Sequence, residues 1–176
     1  WVYGNIALRT MDDIDLMVGL SDVSAACQAL SQLGYQSMSC VKMDAKTVTF
    51  VRPGATPIEI HWGVERNTYG FQIDVGSLWS RSISVNVECA GPLVLCPEDL
   101  ILHICLHTAY HHTGFHLGLR PLCDISAAVR HYRHSINWAD LTARADGARV
   151  GKGVYLALSL AHELVGVDIP EHALKS

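Results

Sequence analysis

At Pro97 the residue pattern of this chain changes period, and that change restricts the fold to a segregated α+β layout. Ahead of Pro97 lie short segments with the alternation or continuous apolar run of strands; beyond it apolar residues recur every three or four positions. Ile14 to Val18 predicts a mostly buried strand, entered through Met11-Asp12-Asp13 and left at Gly19. Ser21 and Asp22 then offer an N-cap, Val23, Ala26, Cys27, Leu30 and Leu33 follow at helical spacing, and Gly34 supplies the stop. Residues 46–51, with Val48 and Phe50 opposite Thr47 and Thr49, predict a second strand, and 57–64 a third. The connection Arg52-Pro53-Gly54-Ala55-Thr56 has tight-turn chemistry, so these two strands pair as an antiparallel hairpin and join the first in one sheet. Residues 65–91 are the least legible, with Ile83, Val85 and Val87 offering a further strand. Pro97 suits the first position of a helix, and helices are predicted over 97–112, 117–133, 138–146 and 150–166. The division expected is a sheet-bearing part over 1–95 and a helical part over 96–176.

Composition narrows the function classes. A length of 176 residues suits one domain or two small lobes, and 49% hydrophobic against 17% charged residues marks a well-buried globular protein rather than a disordered one. Thirteen Lys and Arg against seventeen Asp and Glu give a net charge of −4, which leaves no broad basic field for a long nucleic acid. The ten histidines weaken that argument in acid, where their protonation offsets the negative charge. Six cysteines stand at irregular spacings without a CxxC pair, and are read as buried, reduced thiols. No apolar run approaches the roughly 18–20 residues of a membrane helix and no signal peptide is present, so a cytoplasmic protein without a membrane partner is expected. The chain begins with Trp1 directly ahead of an organised segment, and a preceding segment is expected.

The chemistry concentrates at Asp13-Ile14-Asp15. In an extended chain residues two apart share a face, so both carboxylates project together while Ile14 and Leu16 turn to the opposite, buried face. Like charges held that close call for a cation, and oxygen ligands of this kind suit Mg²⁺. In Pro57-Ile58-Glu59-Ile60-His61-Trp62 the same parity puts Glu59 beside His61 on one face. If this strand neighbours the first, three carboxylates meet as they do over a metal-dependent phosphoryl-transfer site. The competing reading makes Asp13 and Asp15 a surface strand end and Glu59 a partner for Arg9 or Arg66.

The segment Tyr3 to Val18, the helix ending Leu33-Gly34-Tyr35, and Ile58-Glu59-Ile60-His61-Trp62 resemble the uncharacterised nucleotidyltransferase-like proteins of the polymerase-β superfamily. Leu78-Trp79-Ser80-Arg81, Pro97-Glu98-Asp99-Leu100, His107 to His111, Leu122-Cys123-Asp124-Ile125, Ile136-Asn137-Trp138 and Ile169-Pro170 follow in the family's order, so the likeness covers nearly the whole chain. The resemblance implies a nucleotidyltransferase-like palm, a mixed sheet with helices, followed by a C-terminal helical layer. It implies that Asp13 and Asp15 bind Mg²⁺ or Mn²⁺ and that Glu59 is the third carboxylate, as ligand or as base. It also implies substrate contacts from Arg9, His61, Arg81, His107, His111 and Asp124, Arg9 either meeting the triphosphate or tying the strand entrance. The superfamily's Gly-Ser or Gly-Gly turn, which cradles phosphates ahead of the acidic strand, has only Gly4-Asn5 as a counterpart here; that pair stands too near Asp13, so the element is expected upstream of Trp1.

The function expected is transfer of a nucleoside monophosphate from a nucleoside triphosphate, ATP among the candidates, to an unknown hydroxyl-bearing acceptor. The alternative is a non-catalytic nucleotide- or protein-binding module of the same fold, with a protein partner or a second copy of the chain. His103, His107 and His111 are spaced i, i+4, i+8 with His112 and His116 beyond, and a third reading is a metal-dependent phosphohydrolase with a transition metal such as zinc at His107, His111 and Asp124. The HExxH pattern of hydrolases is missing from that run. Trp62, Trp79 and Trp138 read as core anchors, Arg120, Arg130 and Arg133 as a solvated helix face, and Cys96 and Cys105 as buried thiols rather than nucleophiles.

Overall fold

The computed structural model describes residues 2–42, 45–63, 71–86, 91–111 and 118–174, the side chains of Ile6 and His111 excepted. Readings that involve Arg66, Val87, Cys89, His112, His116 or the His111 side chain lie outside the described residues. The chain divides into two compact units, Asn5–Thr68 and Trp1–Gly4 with Tyr69–Ser176.

In the first unit, β1 (Ile14–Met17), α1 (Val23–Gln32), β2 (Gln36–Ser37), β3 (Thr47–Val51) and β4 (Ile58–His61) follow one another. The strands form one sheet in the order β1-β4-β3-β2. β3 and β4 make the expected antiparallel hairpin, and β1 lies parallel to β4, so the sheet is mixed. The register sets Asp15 beside Glu59 and Glu59 beside Thr49.

Alternation sorts the two faces. Val48, Phe50 and Ile60 are at most 2% exposed and pack with Val23, Leu30, Tyr35 and Trp62 under α1. Burying side chains of this size contributes about 1.5–3 kcal/mol each, enough to hold the hairpin against the helix. Gly34, at φ +84°, turns the chain out of α1 in a conformation that costs other residues about 1 kcal/mol. Arg52 then closes the corner, donating to the Leu33 carbonyl at 2.8 Å with its guanidinium 4.8 Å from the Tyr35 ring centre.

The burial expected for Ile14 and Leu16 is not found, since they are 40% and 43% exposed. They do share the face of Ile58 and Ile60, but β1 is an edge strand and α1 lies over β4 and β2.

The second unit holds α2 (Val75–Arg81), a short antiparallel pair β5 (Ile83–Ser84) and β6 (Leu93–Val94), then α3 (Pro97–Leu106), α4 (Arg120–Tyr132), α5 (Trp138–Gly147) and α6 (Gly151–Val165). The four helices expected after Pro97 are thus present. Ile101, Leu122, Ile125, Leu141 and Leu158 are wholly buried at its centre. The first of these helices stops earlier than its pattern suggests and passes into a π turn over His107–His111. Thr108 there bonds back to the Ile104 carbonyl at 2.7 Å, a local competitor of regular helix geometry. Gly153 lets α6 approach this turn: a Cβ at that position would stand 2.3 Å from the Tyr110 ring.

Trp62 and Trp138 serve the cores as expected, whereas Trp79, on the seven-residue α2, is 38% exposed. Cys96 and Cys105 are buried, Cys27 is half-buried, and Cys40 and Cys123 are exposed against expectation. Cys40 follows β2 at the sheet's other edge, and Cys123 faces outward from α4, so neither position is covered. No described helix is long and apolar enough to cross a membrane.

Candidate active site

The polar face of the sheet gathers Asp15, Glu59 and His61, because parallel pairing of β1 with β4 aligns residues of equal parity. His61 Nε2 donates to Asp15 Oδ1 at 2.8 Å and stands 3.5 Å from Glu59 Oε2. One ligand atom from each of the three lies within 4.8 Å of the others, the single such convergence among the described residues. The Thr49 hydroxyl donates to Glu59 Oε1 at 2.7 Å, which fixes one carboxylate oxygen and leaves Oε2 turned toward His61. Thr47, paired with His61 from the other side, has its Oγ1 buried without a hydrogen-bond partner among the described residues.

Asp13 precedes β1 by one residue and stands outside this closest convergence, yet it feels the same field. Desolvation, then the charges of Asp15, Glu59 and Asp12, push its carboxyl above the ordinary Asp range, with His61 acting in the opposite sense. The hydrogen bond to Asp15 raises the His61 pKa, desolvation opposes it, and the charges of Asp15, Glu59 and Asp13 add to the rise. Three acids are therefore concentrated at one place and share one imidazole. Two carboxylates and a ring nitrogen are a donor set that suits a divalent cation.

Arg9 follows the 3₁₀ turn Ile6–Leu8 and donates to the carbonyl of its neighbour Thr10. Glu59 takes its described partners from Thr49 and His61. A groove of about 540 Å³ in this unit runs between α1 and β3, lined by Ser24, Gln28, Ser31, Ser37 and Phe50, and holds none of the acids.

The other expected site residues belong to the second unit. Arg81 grips Asp99 through Nε at 2.8 Å and Nη2 at 3.1 Å, while Arg144 Nη1 reaches the same carboxylate at 2.9 Å. Cys96, the residue before α3, donates its thiol to Asp99 at 3.3 Å. Burial opposes the Asp99 charge, but Arg81, Cys96 and Arg144 together hold its carboxyl below the usual range. Asp124 accepts the Tyr3 hydroxyl at 2.5 Å, which fastens the first residues of the chain to α4. His107 opens the π turn with its ring centre 6.1 Å from that of His103, and His111 closes it.

Thr49, Arg144 and the Asp99 centre were missed in the sequence. Thr49 was legible in principle, since its parity in β3 matches that of Glu59 in the hairpin. Arg144 had no such signal, because 45 residues separate it from Asp99.

The sheet order and the paired acids meet a family comparison that decides the class. The model of the uncharacterised nucleotidyltransferase family matches residues 2–166. The chain belongs to this family. No curated protein matches the chain.

Proposed function

We propose that this nucleotidyltransferase-family protein transfers a nucleoside monophosphate from a nucleoside triphosphate to a hydroxyl-bearing acceptor, using a divalent cation, Mg²⁺ or Mn²⁺. The observation that carries the reading is the convergence of Asp15 and Glu59, with Asp13 in the same field, on the face of a family-typical sheet. Asp13 and Asp15 hold the ion and Glu59 completes the acidic site. When bound, the ion neutralises triphosphate charge.

Glu59 accepts the proton of the acceptor hydroxyl as its oxygen bonds to the α-phosphorus. The bond from that phosphorus to the β-phosphate bridge breaks, and pyrophosphate leaves. Thr49 holds Glu59 in place by donating to Oε1. Arg9, at the entrance to β1, is the nearest candidate in sequence for contact with the triphosphate. A cytoplasmic setting accords with the free thiols of Cys27, Cys40, Cys96, Cys105 and Cys123.

The test is thermal stabilisation by each nucleoside triphosphate with Mg²⁺ or Mn²⁺, followed by pyrophosphate release in the presence of candidate acceptors. A hundredfold excess of ligand over Kd raises stability by roughly 2.7 kcal/mol. A metal-dependent shift that disappears in Asp13→Asn/Asp15→Asn supports the reading. Pyrophosphate release retained by Asp15→Asn refutes it. Metal-dependent nucleotide binding with no product from any acceptor favours a binding module of the same fold.

A further inference from the structure

We infer that His61 is itself a ligand of the divalent cation held on β1 and β4, beside Asp15 and Glu59. The inference rests on the metal-site reading of Asp15 and Glu59 and adds a nitrogen donor to it.

The orientation of the ring is the first argument. Here Nε2 faces both carboxylates, 2.8 Å from Asp15 Oδ1 and 3.5 Å from Glu59 Oε2. Two donors in adjacent positions around an ion with bonds of about 2.1 Å stand roughly 3.0 Å apart in octahedral and 3.4 Å apart in tetrahedral geometry. Both observed separations lie within a few tenths of an ångström of those values. The ion takes the place of the proton that Nε2 now shares with Asp15, and that proton leaves to solvent.

Position within the sheet is the second argument. β4 lies between β1 and β3, so His61 is flanked by Met17 and Thr47 and cannot swing to a sheet edge. Its side chain is 28% exposed, the same as that of Glu59, while Asp15 is 63% exposed. Two donors are thus anchored on the central strand, and the third comes from the open edge.

Donor chemistry agrees, since imidazole and carboxylate are both established ligands of divalent cations.

Pulsed electron paramagnetic resonance on the tag-free chain, in excess over MnCl₂ and without nucleotide, tests this directly. The expected result is a ¹⁴N coupling to bound Mn²⁺ that is lost in His61→Gln and kept in His103→Ala. The Kd for Mn²⁺ should rise by about tenfold or more in His61→Gln, since losing even an outer hydrogen-bond partner of a ligand costs 10–100-fold. Mn²⁺ bound through Asp15 without a ¹⁴N coupling overturns the role of His61 and leaves the carboxylate site standing. No Mn²⁺ binding, or binding unchanged in Asp15→Asn, overturns both this inference and the metal-site reading beneath it. A ¹⁴N coupling that survives in His61→Gln or in His61→Asn, in a variant that keeps the wild-type urea midpoint, overturns the role of His61.

Discussion

Replacement of Asp99 by Asn should destabilise the helical unit severely although it exchanges only one heavy atom. The carboxylate has a side-chain exposure of 2% and is held by Arg81 and Arg144, whose side chains are 33% and 19% exposed. Removing one partner of a buried ion pair costs about 3–5 kcal/mol, because the opposite charge is left without compensation. The two guanidiniums can recover part of their hydration, so the cost here is about 2–4 kcal/mol. With a urea m-value of about 2 kcal/mol/M, the unfolding midpoint falls by about 1–2 M.

The pH dependence has a definite sign. Asp99 is held below its ordinary pKa, so its stabilisation is fully present above the unfolded value of about 3.9 and is lost as pH falls through the lower folded value. The gap in midpoint between wild type and Asp99→Asn should be flat from about pH 5 upward and shrink below about pH 4. A double-mutant cycle with Arg144→Met should return a coupling of roughly 0.5–3 kcal/mol. A midpoint shift under about 0.3 M, or a gap that widens in acid, would refute the account of Asp99 as a buried anionic centre.

Three further outcomes are expected. Asp15→Asn should abolish nucleotidyl transfer while its urea midpoint stays level or rises slightly, because an exposed carboxylate leaves a site of like charges. Thr49→Val should lower kcat about two- to tenfold with the KM for nucleotide unchanged, the value of one hydrogen bond of about 0.5–1.5 kcal/mol to Glu59. Ile60→Ala, at a side chain 1% exposed, should cost about 2–5 kcal/mol in urea unfolding, and a loss below 1 kcal/mol would contradict its place in the sheet core.

Local chemistry was legible wherever neighbours in sequence are neighbours in space. The hairpin of β3 and β4 follows from Pro53-Gly54 between two alternating segments, and the helices after Pro97 follow from their spacing. Parity alone assigned Asp13 and Asp15 to one face, and Glu59 with His61 to one face of another strand. Their meeting needed the resemblance to a family, because no local signal says which strands pair. The exposure of Ile14 and Leu16 was illegible for the same reason: an apolar strand reads alike at the edge of a sheet and at its centre. The π turn at His107 arises from packing and a back-bonded threonine, which leave the helical spacing of the sequence untouched.

By itself, then, the sequence determined β1, α1, β3, β4 and the four helices after Pro97, the parity of those strands and the acids available for chemistry, since these depend on a period of 2 or 3.6 and on residue type, whereas β2, α2 and β6 gave no such signal. Tertiary structure alone decided three matters. Parallel pairing of β1 with β4 brought Asp15 within reach of His61 and Glu59. The hairpin register supplied Thr49 as the support of Glu59. Helix packing turned Arg81 and Arg144 onto Asp99. Each joins residues far apart in the chain, and such contacts form only because burying the apolar faces on either side offsets the entropy of bringing them together.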